Sequence, residues 1–375
     1  MSADWPIDRG GTNMETLLNR LPDLRRSALI ASLAGAALLA GSAGAMAAGY
    51  AVQPISSPGP AMDMSNNGQV TGFYVAKCTT LSSQPKRTIC YNAPWLFDGK
   101  RVSKLTGAWP SNANAKAVAV NDSGHLIGAD LTGAWYYAYG QVTYVDGADT
   151  NVSRGTRLVA LSNAGTALGM SYVASVYQPV TYSYGGMATA AIGPGYSVID
   201  LNDAGMIAGW FKNAAGVEQG FVADAGTITP IPSLDPSLGC RPVRMSQVDA
   251  TSGTGAVWVA GNCTGNRPFR YEVRSGMLQE LSFPGSSNLS VVSINSRGDA
   301  AGTAVRPGGA APDGYTAILW STDRANPADL NASQAFAPAG AWNVHSTDIN
   351  EAGMVLTGYN DTKGNFYTFL LRPVP

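Results

Sequence analysis

The sequence contains few charged residues and no strongly basic segment. Asp, Glu, Lys and Arg make up 13% of the 375 residues, about half the fraction usual in soluble domains, and the formal net charge is −1. No long run of Lys and Arg is present to neutralise nucleic-acid phosphates, so we predict no nucleic-acid partner. The 45% hydrophobic content excludes a disordered chain, and the composition also excludes a coiled coil.

Common catalytic and metal-binding motifs are missing as well. The chain has no G-x-S-x-G nucleophile elbow, no H-E-x-x-H, no Walker loop and no C-x-x-C pair. Its two histidines are too few for a multi-histidine metal site. An all-oxygen Ca²⁺ site needs no histidine, but the recurring Asn-Asp-x-Gly segments lack the full ligand spacing and are better explained as turns. We therefore predict no metal and no cofactor, and the sequence leaves open whether the protein is an enzyme.

The amino terminus differs in composition from the rest of the chain. Leu24-Arg25-Arg26 precede an uncharged stretch, residues 27–48, that is rich in Ala, Leu and Gly, and Ala45-Met46-Ala47 fits an A-x-A cleavage site. The paired arginines loosely resemble a twin-arginine signal. The alternative is an uncleaved membrane anchor, because about 20 apolar residues span a bilayer. We predict that residues 1–48 are an export signal and that the protein is periplasmic or extracellular in a bacterium.

A short phrase recurs through the remaining residues. It consists of an apolar residue, Asn or Ser, two mostly small or polar residues and Gly, followed about four residues later by a second Gly, as in Val120-Asn121-Asp122-Ser123-Gly124 with Gly128. Asn and Asp favour turns and Gly accepts positive φ, so each phrase predicts a turn between two strands. Spacings of roughly 40 to 56 residues and four strand-like runs per copy are typical of propeller blades. The copies begin at Met64, Val120, Leu161, Leu201, Met245, Ile294 and Ile349, and the fifth has extra residues in its turn.

The two ends of the repeat array predict how the ring closes. The seventh copy stops after its third strand, Phe366 to Leu371, whereas Tyr50 to Ile55 is strand-like and belongs to no other copy. An N-terminal strand that completes the last blade would remove an exposed sheet edge. We predict that residues 49–375 form an all-β, seven-bladed β-propeller closed by this strand. Six or eight blades are the alternatives, because the fifth copy is imperfect.

The Ile-Asn-x-x-Gly phrase, followed by an aromatic strand and a Gly turn, resembles the HAF repeat of bacterial extracellular proteins. The resemblance covers essentially all of residues 49–375 and implies a repeat architecture, but it implies no activity because the activities of that family are mostly undefined. The His-Ala-Phe of the third strand is absent, so nothing attributed to its histidine is carried over. The matching positions hold Asn92-Ala93-Pro94, Gln219-Gly220-Phe221 and Arg267-Pro268-Phe269.

Alignment of the first strands places charged residues at the two ends of the central channel. We call the end where each first strand begins the top and the end with the phrases the bottom. The predicted ligand-binding residues are cationic or imidazole side chains, which pair well with carboxylate, phosphate or sulfate. For the predicted acidic ring at the bottom, a structural role as the partner of Arg244 is favoured over a role in ligand binding. The first set is Lys116, Arg157, Arg241, Arg244 and His345, and the acidic ring is Asp63, Asp200 and Asp348.

The four cysteines follow the predicted signal, and an even number in an exported chain indicates disulfides. Four cysteines allow three connectivities. The repeat assignment favours Cys78–Cys90 and Cys240–Cys263, because each pair then falls in one blade near the top. Such bonds would stiffen the exposed loops of this face and stabilise them by roughly 2–4 kcal/mol each.

Three functions fit these features, and we predict the first, with the other two as alternatives. The first is an exported binding or scaffold propeller, a monomer that recognises an anionic glycan or an envelope protein through its top face. The second is an enzyme such as a polysaccharide lyase, lactonase or hydrolase that uses the basic funnel with a carboxylate. The third is a structural protein of surface assemblies. Contact with a membrane is expected only through an uncleaved amino-terminal segment, and the fold by itself does not decide among the three.

Overall fold

The computed structural model shows seven four-stranded antiparallel sheets, so the chain is a seven-bladed β-propeller, as predicted. The predicted export signal lies outside the described residues. Among the described residues, no helix is long and apolar enough to cross a membrane. The structure describes residues 49–82, 87–110, 113–145, 155–173, 176–183, 186–249, 253–286, 288–306, 314–334, 336–338 and 341–374.

The first four blades follow one another along the chain, and each has its strands in sequential order from the channel outward. A short 3-10 helix, Thr106–Ala108, follows the outer strand of blade 1. Blade 1 contains β2 (Ala61–Met64), β3 (Val70–Leu81), β4 (Arg87–Phe97) and β5 (Val102–Lys104), and blade 2 contains β6 (Lys116–Val120), β7 (Leu126–Ala129), β8 (Ala134–Ala138) and β9 (Gln141–Tyr144). Blade 3 contains β10 (Arg157–Leu161), β11 (Ala167–Val173), β12 (Val176–Ser183) and β13 (Gly186–Thr189), and blade 4 contains β14 (Tyr196–Leu201), β15 (Ile207–Lys212), β16 (Glu218–Asp224) and β17 (Thr227–Pro230).

Blades 5 to 7 complete the ring, and the amino-terminal strand closes it as the sequence predicts. β1 (Tyr50–Ile55) pairs antiparallel with the last strand, from Tyr50 opposite Pro373 to Ile55 opposite Thr368. Blade 5 contains β18 (Cys240–Met245), β19 (Trp258–Cys263), β20 (Arg267–Glu272) and β21 (Met277–Glu280). Blade 6 contains β22 (Leu289–Ile294), β23 (Ala300–Val305), β24 (Tyr315–Trp320) and β25 (Ala328–Asp329), with helix α1 (Leu330–Gln334) after it, and blade 7 contains β26 (Trp342–Ile349), β27 (Val355–Asn360), β28 (Phe366–Pro373) and β1.

The two glycines of the repeated phrase have different physical roles. Gly124 has a φ of 73° in the turn between β6 and β7, where an L side chain is disfavoured. Gly128 lies under the indole of Trp135, and a Cβ there would come within 2.3 Å of that ring and 2.1 Å of the Lys116 carbonyl oxygen. The second glycine therefore lets the aromatic residue of the third strand pack directly on the second strand.

The core lies between neighbouring blades, where these aromatic side chains are buried. Trp95 and Trp135 are 0% exposed, and Phe221 and Phe269 are also fully buried. Burial of such a side chain stabilises the fold by about 1.5–3 kcal/mol. In the cluster around Trp95, Leu356 and Leu370 of blade 7 pack with residues of blade 1, so the last blade is joined to the first by the same kind of contact as the others.

Candidate functional site

The bottom end of the channel contains a cluster of three buried carboxylates and one half-buried cation. Arg244 donates from Nη2 to the carboxylate of Asp63 and to Oδ2 of Asp348, the latter at 2.8 Å. The two carboxylate side chains are 7% and 3% exposed. Asp200 completes the predicted ring, and its Oδ2 accepts the backbone N–H of Met245 at 2.7 Å. The structure thus brings together all four residues predicted for this end.

Each carboxylate of the acidic ring also binds the backbone of the following blade. Asp63 accepts the N–H of Val120 at 2.8 Å, joining blade 1 to blade 2. Asp348 accepts the N–H of Met64 at 3.1 Å, joining blade 7 to blade 1, in the same way as Asp200 joins blade 4 to blade 5. These contacts give the ring a structural role, which was one of its two predicted explanations.

The electrostatics of the cluster follow from its burial. Burial raises the pKa of Asp63 to about 7 and also raises the pKa of Asp200, in both cases against the attraction of Arg244. The adjoining cavity has a volume of about 70 Å³ and is lined by Arg244 and all three carboxylates, so it has room for water beside them.

A second layer of hydrogen bonds runs around the bottom face through the side chains of the phrases. In most blades, a backbone N–H of one phrase donates to a side-chain oxygen in the next. Glu351 accepts two such bonds, from the N–H groups of Gln247 and Ser296, because the short Ser296 side chain leaves blade 6 without a long acceptor of its own. The remaining bonds run from Asn67 to Asp122, from Asp122 to Asn163, from Asn163 to Asp203, from Asp203 to Gln247 and from Glu351 to Asn66.

Two of the predicted basic residues at the top, Arg241 and Lys116, have partners in the preceding blade. Arg241 makes a bidentate ion pair with Glu218, and its guanidinium carbon lies 4.2 Å from the ring centroid of Trp210. Lys116 places Nζ 4.9 Å from the ring centroid of Phe73. Arg157 is exposed at the start of β10. The contacts of Arg241 and Lys116 join neighbouring blades, and the carboxylate of Glu218 offsets the charge that Arg241 could offer to an anionic ligand.

His345 lies at the top in a separate pocket of about 120 Å³ between blades 7 and 1. Its Nδ1 is 2.7 Å from the carbonyl oxygen of Asn343. Burial lowers the pKa of the imidazole below its ordinary value. The pocket is lined by residues of β26, β27, β28 and the start of β2, so the predicted group of five ligand-binding residues is divided between separate surroundings.

Both predicted disulfides are confirmed, and each joins residues directly opposite each other on adjacent strands. Cys78 pairs with Cys90 across β3 and β4, and Cys240 pairs with Cys263 across β18 and β19. The second bond is buried within blade 5, whereas the first is exposed. Disulfides of this kind persist in oxidising compartments, which supports export.

The exposed disulfide lies in an extended hairpin, whereas the repeat pattern predicted a loop between the second and third strands of blade 1. We call residues 75–81 and 87–91 of β3 and β4 the arm. β5 covers β4 only from Trp95 to Phe97, so the arm extends beyond the four-stranded part of blade 1 at the top. The sequence does indicate extra residues at this place. The phrases of blades 1 and 2 are further apart than those of blades 2 and 3, 3 and 4, or 4 and 5, and the arm accounts for the additional length.

Large apolar side chains are exposed at the top of three consecutive blades. We call this set the apolar arc. In blade 1 they belong to the arm, in blade 2 to the turn after β7, and in blade 3 to the start of β12. Ile89 shares one face of the arm with Lys77, Arg87 and Tyr91, because opposite residues in an antiparallel pair point to the same side of the sheet. The arc consists of Val75 (57% exposed), Ile89 (40%), Leu131 (56%), Val176 (46%) and Tyr177 (41%).

The described residues contain no group of three or more His, Cys, Asp or Glu placed to hold a metal ion. The nearest approach to such a group is the acidic ring, and there Arg244 occupies the position between two of the carboxylates.

Solved propellers are similar to this chain in fold. No family model and no curated protein matches it. A structure of YCF48 bound to D1 peptide has a TM-score of 0.52 at 11% identity, covering 88% of this chain and 99% of the other. Oligogalacturonate lyase from Vibrio parahaemolyticus has a TM-score of 0.51 at 9% identity, with the same coverage of both chains. At such identities the likeness shows the propeller fold alone.

A third similar structure is the extracellular domain of the BT4673 one-component system from B. thetaiotaomicron. Its TM-score is 0.47 at 12% identity over 86% of this chain. The chain spans only 40% of the length of that protein.

Proposed function

We propose that the protein is an exported binding propeller that docks a protein partner on its top face. The observation that carries this proposal is the apolar arc, which exposes large apolar side chains on the strand 2–3 hairpins of blades 1, 2 and 3. Exposed apolar patches on soluble proteins commonly mark interaction sites. Loops and hairpins on a rigid scaffold are also the usual location of binding residues.

The arm suits this role because it is covalently stiffened. A two-stranded hairpin is only marginally stable in water, and Cys78–Cys90 fixes the two strands of the arm to each other. A stiff binding element loses less conformational entropy when the partner docks. Lys77 and Arg87 on one face of the arm favour a partner with acidic groups around an apolar centre.

The top-face contacts favour a protein over an anionic glycan. An anionic glycan would need several free cations close together, but Arg241 is paired with Glu218 and stacked on Trp210. This leaves Lys116 and Arg157, on different blades, as the exposed cations of the predicted set at the top. Interfaces between proteins instead combine an apolar centre with a polar rim. The apolar arc beside Lys77 and Arg87 fits that second arrangement.

Binding is also a better account than catalysis. Two of the carboxylates that an enzyme would use at the bottom, Asp63 and Asp348, are bonded to Arg244, and all three of the ring accept backbone N–H groups. A peptide-bound protein and a lyase are both similar to this chain in fold, so the fold gives no preference. The two disulfides support an oxidising compartment, in agreement with a periplasmic or extracellular location and with the resemblance to HAF repeats of bacterial extracellular proteins.

Site-specific photo-crosslinking in an exporting bacterium tests this function. A photo-reactive side chain replaces Val75, Leu131 or Tyr177 at the top, and Tyr139 or Met277 in matched controls. Tyr139 (84% exposed) and Met277 (49%) are at least as open to solvent as most of the arc, but they lie at the bottom, Tyr139 in a turn and Met277 at the start of β21. We expect one protein adduct of the same mass from the top positions and none from the controls. Equal yields at both ends, or no adduct from any top position, would overturn the proposal.

A further inference from the structure

The pocket around His345 is built from three strands of blade 7 and the first residues of blade 1. Asn343 and His345 come from the upper part of β26, and Thr357 and Tyr359 from the upper part of β27. Tyr367 comes from the start of β28. All of these positions lie toward the top, so the pocket opens on the same face as the apolar arc but in a different blade.

The imidazole of His345 is fixed in one orientation and one charge state. Nδ1 lies 2.7 Å from the carbonyl oxygen of Asn343, so Nδ1 carries the proton and Nε2 is the nitrogen left to accept a hydrogen bond. Thr357 donates from Oγ1 to the carbonyl oxygen of His345 at 2.6 Å, which holds the backbone of the same residue. Because burial lowers the pKa of this imidazole, it is neutral at pH 7.

Aromatic rings form another wall of the pocket. Tyr359 and Tyr367 lie opposite each other on β27 and β28, with their ring centroids 4.8 Å apart and their planes at 13°. Tyr359 stacks on Phe369 as well, with centroids 5.9 Å apart. The stack fixes the tyrosine rings, while Tyr367 remains 41% exposed and Phe366 44% exposed at the opening.

The chemistry of the lining selects the kind of ligand. The side chains that line the pocket, all within the described residues, offer hydroxyl, amide and imidazole groups and aromatic faces, with no Asp, Glu, Lys or Arg among them. An anionic ligand would find no counter-ion in this lining, and a purely apolar one would leave these polar groups unpaired. Asp361, which accepts from the Tyr367 hydroxyl at 3.3 Å, is already engaged by that group and by the Asn365 side chain. A ligand with several hydroxyl groups and an apolar ring face satisfies both requirements.

We propose that this pocket binds the terminal ring of a neutral saccharide, with a sugar hydroxyl donating to Nε2 of His345 and the ring face lying against Tyr367. A volume of about 120 Å³ admits part of one ring, so the remainder of the glycan extends past Phe366 into solvent. This site is independent of the apolar arc, and its acceptance of neutral sugars distinguishes it from the anionic glycan site predicted at the basic residues.

Saturation-transfer NMR on the protein purified from an exporting host tests this site. The probes are methyl glucoside, methyl galactoside, methyl mannoside and N-acetylglucosamine, with glucuronate as the acidic counterpart. We expect saturation transfer to at least one neutral sugar, and weaker transfer to glucuronate. Titration then gives the dissociation constant of that sugar for each variant.

Two variants and two matched controls decide whether binding occurs at this pocket. We expect His345→Leu and Tyr367→Ala each to weaken binding at least tenfold, and His345→Gln, which keeps an acceptor, to retain part of it. His125→Leu changes the other histidine, in blade 2, and Tyr139→Ala changes an exposed tyrosine at the bottom, so both should bind as the wild type does.

The outcomes separate this proposal from simple loss of folding. The thermal unfolding midpoint of each variant is measured first, and exposed Tyr367 supplies the decisive variant if His345→Leu does not fold. Absence of saturation transfer to all four neutral sugars would overturn the proposal. Undiminished binding by Tyr367→Ala, or tighter binding of glucuronate than of any neutral sugar, would do the same.

Discussion

Arg244 and Arg241 lie on the same strand, β18, three residues apart, and the surroundings of their guanidinium groups differ at the two ends of the channel. Arg244 is enclosed by carboxylates that are themselves bonded to the next blade. Arg241 is 52% exposed and lies between Glu218 and the face of Trp210. The bottom of the propeller therefore uses its polar groups to close the ring, whereas the top leaves side chains in contact with solvent.

The strongest test of this comparison is to remove each guanidinium in turn. Arg244→Met leaves Asp63 and Asp348 buried without a cation, and we expect a loss of about 3–5 kcal/mol in the free energy of unfolding. Arg241→Met breaks an exposed pair that solvent screens, so its expected loss is about 1 kcal/mol or less. Urea denaturation measures the two losses in free energy of unfolding, and they can be compared directly if both variants have the same slope against urea concentration. Equal losses would show that the two ends do not differ in the way we describe.

A smaller change in the free energy of unfolding is expected when either of two asparagines in the same kind of turn is replaced. Asn121 at the bottom and Asn213 at the top each accept, through Oδ1, the N–H groups of the residues two and four positions later. Asn121 alone of the pair also donates to the next blade, from Nδ2 to the carbonyl oxygen of Ser162 at 3.1 Å.

Replacement of each asparagine by alanine isolates that bond between blades. We expect Asn121→Ala to lower the free energy of unfolding by about 2 kcal/mol and Asn213→Ala by about 1 kcal/mol, because Asn121 is buried and its loss leaves backbone groups of two blades unpaired. Guanidinium denaturation of the two variants gives the difference. A larger loss for Asn213→Ala would contradict a bottom face that is held by contacts between blades.

The sequence predicted the repeating parts of the molecule because each depends on local chemistry. Gly124 needs positive φ and Gly128 needs space for Trp135, and both requirements recur at fixed spacing in the other copies. The disulfide pairs were also predictable, since Cys240 and Cys263 belong to the same copy of the repeat. The amino-terminal strand followed from simple counting of the strands in the seventh copy.

The candidate site was predicted less well because it depends on contacts between distant residues. The pairing of Arg241 with Glu218 joins strands of different blades, and no spacing rule gives their relative rotation. Glu351 accepts bonds from two blades only because Ser296 is too short to reach its neighbour, which is a property of three phrases together. The arm had a signal in the phrase spacing, but spacing alone does not decide whether the extra residues form a loop or continue β3 and β4.

The effect most specific to this comparison is an opposite response of the two ends to pH. Burial raises the pKa of Asp63 to about 7 from its ordinary value of 3.8, so the folded protein holds this proton more tightly than the unfolded chain. Its contribution to stability is complete below about pH 4 and is lost as the pH rises through 7. Hydrogen bonding to Arg241 lowers the pKa of Glu218, whose contribution is present above its ordinary value of 4.5 and is lost as the pH falls below it.

The variants Asp63→Asn and Glu218→Gln separate the two responses, since each replaces a titrating group by a neutral one of the same shape. From pH 4 to pH 8 we expect the wild type to lose stability relative to Asp63→Asn, because the variant keeps an oxygen for the Val120 N–H and carries no buried charge. Relative to Glu218→Gln, the wild type should change little above pH 5 and lose stability only in more acid solution. Denaturation midpoints at one-unit pH steps measure both differences. A difference of the same sign and pH range for both variants would mean that Asp63 ionises as an exposed carboxylate does, and that Arg244 rather than burial controls the bottom of the channel.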